Sequence, residues 1–144
     1  MQLTRYTDYG LRVLVYLALL PKGERASITV ISETYDISRN IINKIVHQLG
    51  KEGLISTYRG KGGGFELKKH PKEINIGEVV LLLENSMTVI DCNSPQCVIL
   101  SSCKLQHILH EATNAFVGVL KSYTLNDLIG LERENLIELL EISC

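Results

Sequence analysis

The sequence predicts a mostly α-helical chain with a small β wing: a winged helix-turn-helix followed by a long helix. Three observations carry this. The apolar periodicity runs helix, short helix, tight turn, helix and then hairpin, the order of a winged helix-turn-helix. The hairpin tip, Arg59-Gly60-Lys61-Gly62-Gly63-Gly64, is basic and rich in glycine. Beyond it an apolar stripe with steps of three and four residues persists from Lys104 to Tyr123. That is about five turns, long for a helix folded against one small globule.

The first helix is expected to open at Thr7-Asp8-Tyr9-Gly10, with Thr7 as its cap and Asp8 at the positive end of its dipole, and to stop at Pro21. Lys22 to Arg25 form a loop, and Ser27 can cap a short helix over Val30, Ile31 and Tyr35. Asp36-Ile37 makes the tight turn, and Ser38 caps a third helix running to about Lys51. On it Ile41, Ile42, Ile45, Val46 and Leu49 form one apolar face, and Gly53 falls just past its end. Leu54–Tyr58 and Phe65–Lys68 are strand runs joined by the glycine-rich tip. Ile76-Gly77-Glu78 leads a fourth helix over Val79, Val80, Leu82 and Leu83. After the long helix, Thr124 with Asp127 reads as a variant capping box opening a final helix.

His70-Pro71 marks a boundary between residues 1–70, read as the winged helix-turn-helix DNA-binding region, and residues 71–144, read as a ligand loop and long helix within one folded unit. Charge follows the same division. Residues 1–70 hold eleven Lys/Arg against six Asp/Glu, and residues 71–144 hold four against ten. A basic front half and an acidic back half imply that only the front meets a polyanion. No apolar run approaches the roughly 20 residues needed to span a bilayer. With no signal-peptide pattern and no export-type cysteine framework, we expect a cytoplasmic protein without membrane contact.

Ser38, Arg39, Asn40 and Lys44 lie on the third helix opposite its isoleucines. The first turn of a second helix in this motif meets base edges in the major groove. There Arg suits guanine, Asn suits adenine, and Ser or Lys can hold phosphate. A solvated polar face is the alternative, and the adjoining basic tip argues against it. That tip is no nucleotide-binding loop, because Gly62 rather than Ser or Thr follows Lys61 and a strand comes next. A wing in which glycines let Arg59 and Lys61 reach the DNA backbone or minor groove fits better.

Cys92, Cys97 and Cys103 fall within twelve residues of a chain with four cysteines in all. Three thiols on one loop can point at one centre, and soft thiolates select zinc or iron–sulfur clusters. Zinc motifs usually pair cysteines at two separated sites, which is not the case here. Cys144, the last residue, is not counted as a ligand. His107 and His110 follow Cys103 on the long helix, which makes His107 a candidate fourth ligand. No enzyme constellation is present: Ser, His and Asp combine only by chance, and His110-Glu111 lacks the second histidine of a metalloprotease helix.

The opening Met-Gln-Leu-Thr-Arg-Tyr-Thr-Asp-Tyr-Gly-Leu-Arg, Ser38-Arg39-Asn40 with Leu49-Gly-Lys-Glu-Gly-Leu54, and Arg59-Gly-Lys-Gly-Gly-Gly-Phe-Glu-Leu together resemble the Rrf-type winged-helix repressors, over residues 1–130. The gap of four residues between Cys92 and Cys97 is similar to the nitric-oxide-sensing branch of that family. The cluster-assembly regulators have one more residue there and a histidine three residues after the third cysteine; here His107 comes four after Cys103.

The resemblance implies a homodimer whose long helix crosses its partner. It also implies an iron–sulfur cluster, 4Fe–4S ahead of 2Fe–2S, on Cys92, Cys97 and Cys103, with Asp8 of the partner subunit as an oxygen ligand. It further implies repression at a pseudo-palindromic double-stranded DNA operator, released by nitric oxide, at genes of nitric-oxide detoxification. Two rivals remain at this point: a cluster-status regulator with His107 as ligand, and an iron–sulfur redox protein that has no use for Arg39 or the basic tip.

Overall fold

The computed structural model describes residues 1–143; Cys144 lies outside the described residues. Seven α-helices and one two-stranded sheet are present among them. Helix α1, Arg5–Leu19, is capped by Thr4, whose hydroxyl accepts from Thr7 N at 3.3 Å. The expected cap, Thr7, is instead inside the first turn and fully buried. Both threonines precede the apolar stripe, and the one in extended conformation is a turn earlier. Leu20, also extended, ends the helix before Pro21, whose ring excludes a helical residue ahead of it.

Helix α2, Ile28–Tyr35, is capped by Ser27, which accepts from Val30 N at 3.1 Å. Asp36 then takes a left-handed φ of 54°, which Asp tolerates better than most side chains, and turns the chain into α3, Arg39–Lys51. Ser38 occupies the N-cap position of α3, as expected, but its side chain makes no capping hydrogen bond. At the other end Gly53 N donates to Gly50 O at 3.1 Å and Leu54 N to Leu49 O at 2.9 Å, the paired bonds of a Schellman terminus.

Strand β1, Ile55–Tyr58, pairs antiparallel with β2, Gly64–Leu67, in the register Ile55 to Leu67 and Tyr58 to Gly64. Ala26 adds a short third pairing to Phe65. The fold is the winged helix-turn-helix that the element order predicts.

A 3-10 turn at Pro71–Glu73 leads to α4, Ile76–Leu83, capped by Asn75. The long helix α5 spans Lys104–Lys121. Thr124 N and Oγ1 donate to Asp127 Oδ2 at 2.7 and 3.1 Å, opening α6, Leu125–Ile129. Where one final helix was expected, the chain breaks at Gly130 and resumes as α7, Arg133–Leu139. Glycine is the poorest helix former after proline, and Leu131 beside it is fully exposed, so nothing holds the helix together there.

One buried cluster joins Val13, Leu14 and Leu19 of α1 to Ile42, Ile45 and Leu49 of α3, Val80 of α4 and Leu125 of α6. Helix α5 contributes no buried residue. It docks on α4 at Gly77, where an added Cβ would stand 2.7 Å from Lys121 N and 2.9 Å from its Cα. Backbone cannot yield as a side-chain end can. Gly77→Ala is therefore expected to lower stability by about 1–3 kcal/mol, as other overpacked contacts do, despite the better helix propensity of alanine. Urea unfolding of the two proteins measures it.

Candidate functional site

The apolar face of α3 is driven into the core, with Ile42, Ile45 and Leu49 fully buried, so its other face must look outward. Ser38, Arg39, Asn40 and Lys44 all lie exposed there, and Arg59 and Lys61 are exposed at the wing. Between α3 and the wing runs a groove of about 560 Å³, lined by Asn43, His47, Lys51, Thr57 and Arg59 among others. Asn43 and His47 were not singled out from the sequence. They continue the Asn40 side of the helix at steps of three and four, so helical periodicity was the signal that could have found them. Donors at the helix start and cations at the wing form a surface able to read base edges and hold phosphates on either side.

The third helix is tied to the rest of the chain through Gln48. Tyr6 OH donates to Gln48 Oε1 at 2.6 Å, and Gln48 Nε2 donates to Leu82 O at 3.2 Å. Burial pushes the Tyr6 phenol up, which keeps it protonated as the donor. At the end of α4, Glu84 Oε1 accepts from Thr4 N at 2.6 Å and Thr4 Oγ1 at 3.1 Å. Recognition helix, α1 and the segment leading to the cysteine loop are thus bonded together.

Asp8 lies on the outer side of α1, its side chain 46% exposed, and accepts from Arg12 Nε at 3.0 Å and Nη2 at 2.8 Å. The bond to Asp8, opposed in part by burial, raises the Arg12 guanidinium above its usual value. Tyr9 and Tyr35 approach the same guanidinium with ring centroids 5.7 and 5.9 Å away, and Tyr35 OH donates to Arg12 O at 3.1 Å. Burial pushes the Tyr35 phenol up to about 12, against the pull of Arg12.

In the cysteine loop, Cys97 N donates to Cys92 O at 2.9 Å, and Asp91 Oδ1 accepts from Asn93 N at 2.9 Å and Ser94 N at 3.3 Å. A 3-10 turn at Leu100–Ser102 delivers Cys103 to the N-cap position of α5. The three thiols are free, Cys92 buried and the other two half-buried. Burial pushes the Cys92 thiol up, with Cys97, Cys103 and Asp91 adding to it.

Among the described residues no three His, Cys, Asp or Glu side chains are gathered as a set that could hold a metal ion. His107 is exposed on the first turns of α5, and His110 Nδ1 lies 3.1 Å from Asn114 Nδ2. In a single chain Asp8 is held by Arg12 and not by the loop.

An exposed helix beside a basic wing defines a winged-helix DNA-binding regulator. Residues 3–130 match the Rrf2 family, described as iron-dependent transcriptional regulators, and the chain belongs to that family. It is 45% identical over 144 residues to the HTH-type transcriptional regulator NsrR of Shouchella clausii, covering 98% of this chain and 96% of that one. To NsrR of Bacillus subtilis it is 45% identical over 145 residues, covering 99% of each. Among solved structures, Staphylococcus aureus CymR in its oxidized form matches with a TM-score of 0.74 at 27% identity, covering 90% of this chain and 97% of that one. IscR of T. potens matches with a TM-score of 0.73 at 22% identity, over 90% and 86% of the two chains, a likeness of fold. The chain is a transcriptional regulator and not an enzyme.

Arg39→Ala is expected to lose about 1–3 kcal/mol of discrimination between DNA sequences if Arg39 makes a bidentate base contact. Lys61→Ala should weaken binding to all duplexes alike and lower the salt slope by about one. Titrations at several salt concentrations separate the two, and unchanged binding in both variants would sink this placement of helix and wing.

Proposed function

We propose that this chain is a homodimeric repressor that carries an iron–sulfur cluster on Cys92, Cys97 and Cys103. Intact, it holds a pseudo-palindromic operator; nitric oxide makes it let go. The observation that carries the reading is the loop itself. Three free thiols fall within twelve residues on one loop, in a chain otherwise nearly free of cysteine. Soft sulfur donors on one short loop fit an iron–sulfur cluster, 4Fe–4S ahead of 2Fe–2S.

Such a cluster supplies irons that nitric oxide binds strongly. What the chain itself does is connect them to the DNA reader. Cys103 fixes one end of the loop at the start of α5. That helix exposes Leu105, Ile108, Phe116 and Val119, a stripe suited to a second copy of itself. A crossed pair of α5 helices would set each loop beside α1 of the other copy. There Asp8 of the partner subunit can complete the ligand set. In one chain Asp8 is bound to Arg12, but a pair this exposed is worth only about 0.3–0.5 kcal/mol. It can therefore be given up to a metal centre at little cost. Arg12 is also held by Tyr35 of α2, so a change at Asp8 is felt in the helix-turn-helix.

Cys92→Ala, Cys97→Ala and Cys103→Ala are each expected to abolish the cluster, and Cys144→Ala to leave it intact. Iron and sulfide quantitation on anaerobically purified protein decides this. Full occupancy in a loop variant removes that cysteine from the ligand set, and full occupancy in all three ends the proposal.

For the fourth ligand, Asp8→Ala should leave a more labile cluster with an altered absorption spectrum, while His107→Ala should be nearly silent. The reverse pattern would assign His107. A mixed dimer adds the geometry. One chain carries Asp8→Ala and the other all three loop cysteine changes. Ligation across subunits predicts one site of wild-type spectrum, and ligation within a chain predicts none.

A further inference from the structure

We infer that Arg25 is the positioning residue of the wing, holding the tip that presents Arg59 and Lys61. The inference rests on reading the wing as a DNA contact. Arg25 lies in the loop before α2, and the neighbouring Ala26 brings it to the wing: Ala26 N donates to Phe65 O at 3.0 Å and Phe65 N to Ala26 O at 2.9 Å. Gly64 makes the approach feasible. A Cβ there would collide with Ala26 O and stand 3.2 Å from Arg25 Cβ.

From this position one guanidinium serves three parts of the hairpin. Its Cζ lies 3.5 Å from the ring centroid of Tyr58, the last residue of β1. Its Nη1 donates to Gly62 O at 3.1 Å, within the tip. Its Nε lies 3.9 Å from Glu66 Oε1 on β2. Gly62 directly follows Lys61, so the bond to its carbonyl holds the Gly62–Gly63 peptide, one residue beyond Lys61.

The tip needs such a brace. Gly60 and Gly62 both have positive φ, 85° and 76°, and residues 60–64 are four glycines and one lysine. A tip of this composition loses much conformational freedom when ordered on DNA. A planar cation that stacks and donates in different directions at once can restrain it; a lysine ammonium cannot do both with one geometry. Arg25 already spends its donors within the protein, which distinguishes it from Arg59 and Lys61.

The test uses the full-length protein with Arg25→Lys, which keeps the charge, and with Tyr58→Leu, which keeps the arginine and removes the ring. Without DNA, amide hydrogen exchange at residues 60–64 should quicken about three- to tenfold in either variant, with the far-UV spectrum unchanged. Unchanged exchange in both overturns the inference. With a mixed-sequence DNA duplex as probe, Arg25→Lys should weaken binding about three- to tenfold, but by less than twofold once Arg59→Ala and Lys61→Ala have emptied the tip of cations. A loss that persists undiminished in that background would make Arg25 a direct phosphate contact and overturn the positioning role. If Arg59→Ala with Lys61→Ala leaves duplex binding untouched while exchange still responds to Arg25, the wing is not a DNA contact. The brace then has no DNA to serve, and the reading of the wing fails rather than the anchoring.

Discussion

Burial of α1 is the constraint on which the rest of the chain depends. Val13, Leu14 and Leu19 are wholly removed from solvent, each worth about 1.5–3 kcal/mol of apolar burial, and α3, α4 and α6 all pack on this helix. Fixing its inner face fixes its outer face as well. Asp8 and Arg12 are therefore held on the outside of the molecule in a set orientation, and Thr4 is presented to Glu84 at the end of α4. The same helix locates the recognition helix, through Tyr6 and Gln48, and the segment that runs into the cysteine loop. The cysteine loop and the exposed face of α3, attached to one rigid element, cannot move independently.

The elements meet this constraint in opposite ways. Helices α1, α2 and α3 and the wing bury their apolar faces against one another and against α4 and α6. Helix α5 and the loop before it do not. Helix α5 has eighteen residues and none is buried, with Val98 and Ile99 of the preceding loop 97% and 64% exposed. A helix that exposes an apolar stripe of this length is costly in water unless a second surface covers it, and that need favours the dimer in the proposed function. The cysteine loop belongs to this unsatisfied part. Its backbone is held by turns, and its three thiols are free, so a ligand that bridges them would tie this loop together.

Electrostatics divide the labour further. Excess positive charge sits in residues 1–70 and excess negative charge in residues 71–144, so a polyanion is drawn to α3 and the wing and turned away from the back half. Within the basic half the cations are not equivalent. Arg12 and Arg25 are engaged inside the protein, with Asp8 and with the hairpin, while Arg39, Lys44, Arg59 and Lys61 project into solvent. Counting charge identifies the face; only the bonds identify which cations remain for DNA.

Local chemistry determined most of the fold. Ser27 and the Thr124–Asp127 pair close their helices through bonds spanning three residues, and the isoleucine period of α3 chose its buried face, so these were legible along the chain. The glycine-rich tip likewise announced the hairpin within one residue at either strand. What sequence misjudged was also local but balanced: Thr4 against Thr7 as the first cap, and the break at Gly130 that divides α6 from α7. The candidate cysteines and the outer face of α3 could be named from spacing alone. Their setting could not. That Arg25 reaches Gly62, that Gln48 joins α1 to Leu82, and that Gly77 admits Lys121 are contacts between residues 34 to 44 positions apart. Such contacts exist only after the core has brought the elements together, because no periodicity encodes which distant side chain will stand opposite.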